Sequence, residues 1–499
     1  MLDTVRATRP RSGAWLGLTV LVLPTLVVAM DMTALFLALP RISAQLDASG
    51  IEQLWITDSY GFLVAGFVIT MGTLGDRIGR RRLLLIGAAA FAVLSVVGAY
   101  SVSPVMLIVT RGLLGIAGAT LTPSTLALIS TMFADARQRG LAIAVWATSQ
   151  FAGGALGPVL AGLLLQHFWW GSVFLIAVPA MALLLVLGPM MLPEFRSPAP
   201  GRLDPVSVGL SLAAVLPIVF GLKQLAVSGA AGPAVAAIVA GLALGVAFVR
   251  RQLRLDTPLL NLRLFANRPF TAVLISLVFA GVAMAGTGLV VTQYLQSVLG
   301  FSPVISAILF APMGLGVAAG TMAAPALARR VPMTAAIAGG LGVSVLGAVL
   351  LVLASGRAGL PLVMVGIAVL ALGTGPLFAL GTGLVIGSVP EERAGSAASM
   401  SETGNYFGSS LGLAVLGAVA AGVYRAHLAG SVAAGAPAAA GQTLAGAIAA
   451  GHTLPTAQGI ALLHTAQAAF TSGLHVIGVI AAVIFAALAV LVRRATERA

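Results

Sequence analysis

The sequence predicts an all-α polytopic membrane protein with fourteen transmembrane helices. Three observations carry that prediction. The 499-residue chain is 59% hydrophobic and only 8% charged, where a soluble chain would hold nearer a quarter charged residues. Its mean hydropathy is +1.07, and apolar runs of about eighteen residues or more, enough to cross a bilayer as a helix, recur from end to end. Arginines gather in every second loop between those runs.

The elements follow in order. Helix 1 is expected over 15–38, after the basic segment MLDTVRATRPRSG with Arg6, Arg9 and Arg11. Its apolar run is too long for a signal-peptide core, so the helix is expected to be retained. Arg41 separates it from helix 2 (54–73), and Arg77, Arg80, Arg81 and Arg82 separate helix 2 from helix 3 (83–101). Helix 4 (105–128) ends before Arg137 and Arg139, and helices 5 (141–165) and 6 (171–192) lead to Arg196 and Arg202. Helices 7 (207–227) and 8 (233–250) run to the longest basic loop, with Arg250, Arg251, Arg254, Arg263 and Arg268. Helices 9 (270–296) and 10 (303–327) precede Arg329 and Arg330, Arg357 divides helices 11 (333–354) and 12 (360–388), and Arg393 introduces helix 13 (397–422). A long Ala- and Gly-rich outer segment over 423–465, containing Arg425, leads to helix 14 (466–492) and the closing Arg493, Arg494 and Arg498. That segment reads as a poorly constrained surface loop without chemistry.

The arginine split between alternate loops is 22 to 3. By the positive-inside bias both termini are cytoplasmic, and thirteen helices would put one terminus on the wrong side. Trp15, Trp55, Trp169 and Trp170 fall near the ends of these spans, as an aromatic belt would. The net charge of +13 does not imply nucleic-acid binding, because the arginines sit in short loops. Cysteine is absent, which excludes disulfides and thiolate metal sites.

Asp31, Asp58, Arg111, Lys223 and Glu402 lie inside these spans. A charge in the membrane costs roughly 2.5–3.5 kcal/mol on insertion scales and persists when it pairs, faces water or works. Helix 1 runs outward, so Asp31 lies roughly 10 Å below the outer surface at 1.5 Å per residue. Helix 4 runs inward and puts Arg111 at roughly the same depth, about 9 Å. Asp58 lies roughly 6 Å down on helix 2, and Glu402 near the cytoplasmic start of helix 13. Each has a structural alternative. Lys223 snorkels to the interface, Asp58 caps helix 2, Glu402 answers a helix dipole, and Asp31 with Arg111 forms a packing ion pair. Asp31 is the hardest to explain that way, because its only same-depth basic partner is on another helix. Burial favours the neutral form of a carboxyl group and a neighbouring guanidinium favours the charged form. A group so balanced takes a proton on one side, releases it on the other and alternates it with a cationic ligand.

Several motifs resemble one superfamily. GTLGDRIGRRRLL (72–84) resembles the helix-2/3 signature G-x-L-x-D-R-x-G-R-R of the major facilitator superfamily. LIVTRGLLGIAGA (107–119) resembles its helix-4 motif, and GGALGPVLAG (153–162) its helix-5 antiporter motif. MDMTALFLALP in helix 1, WITDSYGF (55–62), FGLKQL (220–225), NLRLFANRPF (261–270) and ETGNYFGSSLG (402–412) resemble the fourteen-helix drug:proton antiporter branch.

The resemblance implies a major facilitator fold. It would comprise a cytoplasmic N-terminus (1–14), a six-helix bundle (15–192), a linker with two inserted helices (193–269), a second six-helix bundle (270–492) and a cytoplasmic tail (493–499). The repeat is nearly invisible in the sequence; APALARRVPM (324–333) is at best a degenerate second copy of the helix-2/3 turn. The resemblance further implies that Asp31 is the proton and cation acid, with Asp58 and Glu402 secondary and Arg111 tuning Asp31. Gly72, Asp76, Arg77, Gly79, Arg80 and Arg81 would gate the cycle, and Gly153, Gly157, Pro158 and Gly162 would form the antiporter motif. Some relatives that accept dications carry an extra acid on helix 10, and FSPVISAILFAPMGLGVAAGT has none, which argues against divalent cations as good substrates.

The expected activity is proton-coupled efflux of lipophilic, mainly monovalent cations by alternating access in a bacterial inner membrane. The alternative is export of an endogenous metabolite, lipid or antibiotic. Partners are then small lipophilic cations, protons and the bilayer, with no nucleic acid, no cofactor beyond the proton gradient, no metal and a monomeric unit. Met30, Met32, Phe36, Trp146, Tyr294, Phe378 and Tyr406 are candidate pocket walls, since aromatic faces attract cations; ordinary helix packing is the alternative for each. An enzyme is disfavoured. The five histidines show no H-E-x-x-H spacing and no G-x-x-x-x-G-K-[ST] loop is present.

Overall fold

A computed structural model describes residues 11–48, 50–196, 204–228, 231–255, 258, 262–387, 389, 394–428, 441, 443–451 and 453–497. The main helices are α1 (Arg11–Leu46), α2 (Gly50–Ile78), α3 (Arg80–Ala99), α4 (Pro104–Met132) and α5 (Ala136–His167). The next is α6 (Ser172–Met191). Then come α7 (Pro205–Ser228), α8 (Ala231–Arg254), α9 (Arg268–Gln293), α10 (Pro303–Leu327) and α11 (Met333–Val352). The last three are α12 (Leu360–Pro376, continued through a π-helical turn Leu377–Gly381 to Gly387), α13 (Ala394–Leu428) and α14 (Thr456–Glu497). A second π-helical turn, Tyr294–Val298, extends α9.

Thirteen described helices are long and apolar enough to cross a membrane, and Pro205–Gly221 of α7 is a shorter apolar stretch. Each of the fourteen expected spans falls on one of these helices. Several run further than their apolar windows, because a helix continues into the polar interface once its backbone bonds are satisfied internally. Side chains set the starts. Ser103, Asp135, Asn267 and Ser302 accept hydrogen bonds from backbone N–H groups of the first turns of α4, α5, α9 and α10, which answers the orphan donors there.

The chain forms two compact units. The first comprises 1–212, 247–263 and 382–403, and the second 213–246, 264–381 and 404–499. In the first, α1 packs on α5 and α6, α2 on α4, and α3 on α4 and α6. In the second, α10 and α11 pack on α12, and α14 packs on α9 and α11.

The outer segment over 423–465 differs from expectation. Its described residues include the end of α13, a short helix Leu444–Gly451 and the start of α14. Tyr424, Leu428, Leu444, Ala447 and Ala450 bury against Leu462, Ala466 and Ala469. Part of the segment is therefore packed structure, because its apolar residues recur at helical spacing.

The start of α7 and the end of α8 pack within the first unit. Phe248 of α8 joins Val68 and Ile69 of α2 and Ala119 of α4 in a buried cluster, with Val208 and Leu210 of α7 against it. Asp204 caps α7 and takes two hydrogen bonds from Arg251, at 2.6 and 3.1 Å. The Arg251 guanidinium, with the Ser207 hydroxyl beside it, holds the Asp204 carboxyl well below the usual carboxylate range.

Candidate functional site

Asp31 and Arg111 meet inside the first unit. Arg111 Nη1 donates to Asp31 Oδ2 at 2.5 Å, and the two side chains are only 1% and 5% exposed. Arg111 has further partners. Its Nε donates to the Ile56 carbonyl at 3.3 Å. Its guanidinium carbon lies 4.7 Å from the Tyr60 ring centroid and 5.9 Å from that of Phe174. One cation on α4 is thus held by α1, α2 and α6 together. The carboxylate answers its charge, the carbonyl takes a donor, and the ring faces add cation–π attraction.

Small residues bring these helices close enough. A Cβ on Gly115 of α4 would run into the Tyr60 carbonyl, so α2 and α4 approach backbone to backbone there. Gly153 and Gly157 of α5 do the same against α1. Gly153 faces the Leu26 carbonyl, and Gly157 faces Thr33 Oγ1 and the Met30 carbonyl. The glycine face of the antiporter motif therefore seats the helix that carries Asp31, as small residues do between membrane helices. Gly162 lies at ordinary contact distance from Leu37, and Pro158 is half-buried. Towards the end of this seam Arg41 donates to the Leu165 carbonyl.

The helix-2/3 turn forms a second cluster. Gly79 has φ +110°, a conformation that suits glycine. Arg80, 1% exposed, donates from Nε to Asp76 at 3.0 Å and from Nη1 to the Ala127 carbonyl at 3.2 Å. Arg81 donates to the carbonyls of Pro189 and Leu192 at 3.1 and 2.9 Å and pairs with Glu194 at 3.6 Å. Phe195 adds a ring face to Arg80 at 4.9 Å and its carbonyl accepts from the Arg80 N–H. Gly72 is buried and Arg77 is exposed.

Glu402 is buried on α13, and its Oε2 has no hydrogen-bond partner among the described residues. Gln150 of α5 hydrogen-bonds its side chain. Since α13 begins at Ala394, with no acid in its first turn, Glu402 sits too far in to be an acid at the helix start. Likewise α2 begins at Gly50, so Asp58 is inside the helix and not its cap. The side chains of Asp58, Lys223 and Phe36 lie outside the described residues.

The remaining candidates divide between the two units. Met30 and Trp146 are buried in the first unit, and Trp146 Nε1 donates to Thr125 Oγ1 at 3.1 Å. Met32 of α1 is half-buried. In the second unit Tyr294 is fully buried at the end of α9 and its hydroxyl donates to the Gly356 carbonyl at 3.0 Å. Phe378 is buried in the π-helical turn and Tyr406 is half-buried on α13. Sequence reasoning missed Tyr60, Phe174, Gln150, Glu194 and Phe195. Only Glu194 left a signal, as an acid in an otherwise basic loop.

Comparisons with known proteins agree with this architecture. The description "Major Facilitator Superfamily" matches residues 21–413. The chain is 41% identical over 500 residues to the multidrug efflux pump LfrA of Mycolicibacterium smegmatis, covering 99% of each. It is 32% identical over 465 residues to the methyl viologen resistance protein SmvA of Salmonella typhimurium, covering 91% of this chain and 93% of that one. Among solved structures, the human organic anion transporter MFSD10 is similar with a TM-score of 0.62 at 16% identity, over 96% of this chain and 100% of that one. That last likeness is one of fold.

Proposed function

Because the chain belongs to the Major Facilitator Superfamily, and so is a multi-pass membrane transporter and not an enzyme, we propose that it is a proton-coupled multidrug exporter. Its substrates are lipophilic, mainly monovalent cations of the ethidium and quaternary ammonium type. The observation that carries this reading is the buried Asp31–Arg111 pair on helices seated by the antiporter glycines. The names of LfrA and SmvA, a multidrug efflux pump and a methyl viologen resistance protein, support drug export; methyl viologen is a dication, so the monovalent preference rests instead on the absence of an acid from helix 10.

The residues account for the chemistry as follows. Asp31 offers a carboxylate that takes either a proton or a cationic ligand. When it is protonated or turned towards a ligand, Arg111 loses one partner and keeps the Ile56 carbonyl and the Tyr60 and Phe174 rings. The cation therefore stays in place when Asp31 changes partner. Glu402, with Gln150 beside it, is the second acid, and Asp58 a third. The arginine-rich loops face the cytoplasm, so uptake of protons and release of substrate take place on the other side.

Ethidium uptake into inside-out vesicles under an imposed pH gradient tests this. The wild type is expected to accumulate ethidium, and Asp31→Asn, matched for membrane insertion, is expected to fall to the level of empty vesicles. Equal accumulation by the two would make Asp31 a packing residue and end this assignment.

A further inference from the structure

The second unit carries a basic pocket whose lining includes none of the residues assigned to transport above. It has a volume of about 310 Å³ and lies between the start of α9 and the end of α14. Arg268 and Arg494 line it, with Phe265, Ile275 and Leu491 as its apolar walls and no acidic residue in its lining. Neither arginine has a carboxylate partner among the described residues. The two stand at the ends of membrane-crossing helices, since the apolar spans run over Arg268–Val298 and Thr456–Ala495.

Electrostatics separate the two arginines. Arg494 is in the last turn of α14, where a cation complements the helix dipole. Arg268 is the first residue of α9, where the dipole favours an anion and disfavours a cation. A cation in the wrong place, facing a second cation across a cavity, needs a negative ligand. The pocket also continues into apolar surface. Ile275 and Phe279 of α9 are 38% and 43% exposed and lie four residues apart on one helix face. A soluble phosphate has no use for that stripe, whereas a phospholipid places its headgroup at the arginines and an acyl chain along Ile275 and Phe279.

We propose that Arg268 and Arg494 form a binding site for the phosphate headgroup of an anionic membrane lipid. Arg268 and Phe265 fall in the stretch NLRLFANRPF (261–270), whereas Asp31, Arg111 and Glu402 are not in the lining of this pocket. Basic pockets between helices at this face take anionic headgroups.

The test is lipid binding to the purified full-length protein, read by native mass spectrometry after delipidation. The probes are phosphatidylglycerol, phosphatidylethanolamine and inorganic phosphate. Wild type is expected to retain phosphatidylglycerol, and Arg268→Gln with Arg494→Gln to weaken it by roughly ten- to thirty-fold. The charge-keeping pair Arg268→Lys with Arg494→Lys is expected to bind within a few-fold of wild type, about the change that leaves two charges in place. Thermal melting of the wild type alone supplies a check that needs no variant, with phosphatidylglycerol raising Tm and phosphatidylethanolamine not. Equal retention by wild type and the glutamine variant, or a Tm insensitive to headgroup charge, would overturn the proposal. Displacement of phosphatidylglycerol by millimolar inorganic phosphate would overturn the lipid assignment in favour of a soluble anion.

Discussion

Arg111 and Asp31 are unequal partners. Arg111 has three contacts besides the carboxylate, one carbonyl and two ring faces, and the structure gives Asp31 this guanidinium as its ion-pair partner. Removing one member of a buried pair strands the other, which costs about 3–5 kcal/mol. Arg111→Met strands a carboxylate and is expected to reach that range. Asp31→Asn leaves an arginine that still has a carbonyl and two rings, and is expected to cost less, about 1.5–3 kcal/mol for a hydrogen bond to a charged group. The double variant is expected to cost less than the sum of the singles, as for residues in direct contact. Thermal unfolding in detergent of the four proteins decides this; equal and additive losses would show that the pair is not coupled. The pair itself was legible in the sequence, because two opposite charges at one depth in apolar helices are anomalies. Ile56, Tyr60, Phe174 and Gln150 were not, because an aromatic, a carbonyl or a glutamine on a neighbouring helix becomes a partner only when the rotation of that helix about its axis is known.

At the scale of elements the turn between α2 and α3 is a clamp whose parts differ in weight. Gly79 has a φ of +110°, and a Cβ there would also meet the Glu194 carboxylate. Gly79→Ala combines backbone strain of about 1–3 kcal/mol with that clash. The Arg81–Glu194 pair spans 3.6 Å with both side chains 29% exposed, which places it in the range of about 0–1 kcal/mol. Arg81 also keeps two carbonyls without it. Gly79→Ala is therefore expected to lower both Tm and the vesicle transport rate, and Glu194→Gln to leave both near wild type. A large loss in Glu194→Gln would mean that the ion pair, and not the backbone turn, holds the clamp. Helix existence and order were readable throughout, since an apolar run of membrane length has few other fates. The packed part of 423–465 was not. Its helix Leu444–Gly451 has eight residues, too few to be stable without partners, and its partners come from α13 and α14.

Over the whole molecule the two halves of the chain are unlike in what they carry. The turn from α2 to α3 buries Arg80 against Asp76, whereas Arg329 and Arg330 after α10 are exposed, so the near absence of a repeat in the sequence has a structural counterpart. The buried acids Asp31 and Glu402 do not follow that imbalance, since Asp31 lies on α1 in the first half of the chain and Glu402 on α13 in the second. Their number bears on the driving force. One proton exchanged for one monovalent cation moves no charge, so the pH gradient alone would act. A second proton adds the membrane potential, about 2.3 kcal/mol per 100 mV, or roughly fifty-fold in the accumulation ratio. With Oε2 of Glu402 lacking a hydrogen-bond partner among the described residues, that carboxyl group has a site for a second proton. Ethidium accumulation in inside-out vesicles at fixed pH gradient is therefore expected to rise with an imposed lumen-positive potential. Glu402→Gln is expected to remove the voltage dependence and leave pH-driven uptake in place. A wild type insensitive to voltage would assign the coupling to Asp31 alone, and Glu402 would then be a ligand for substrate or a packing acid.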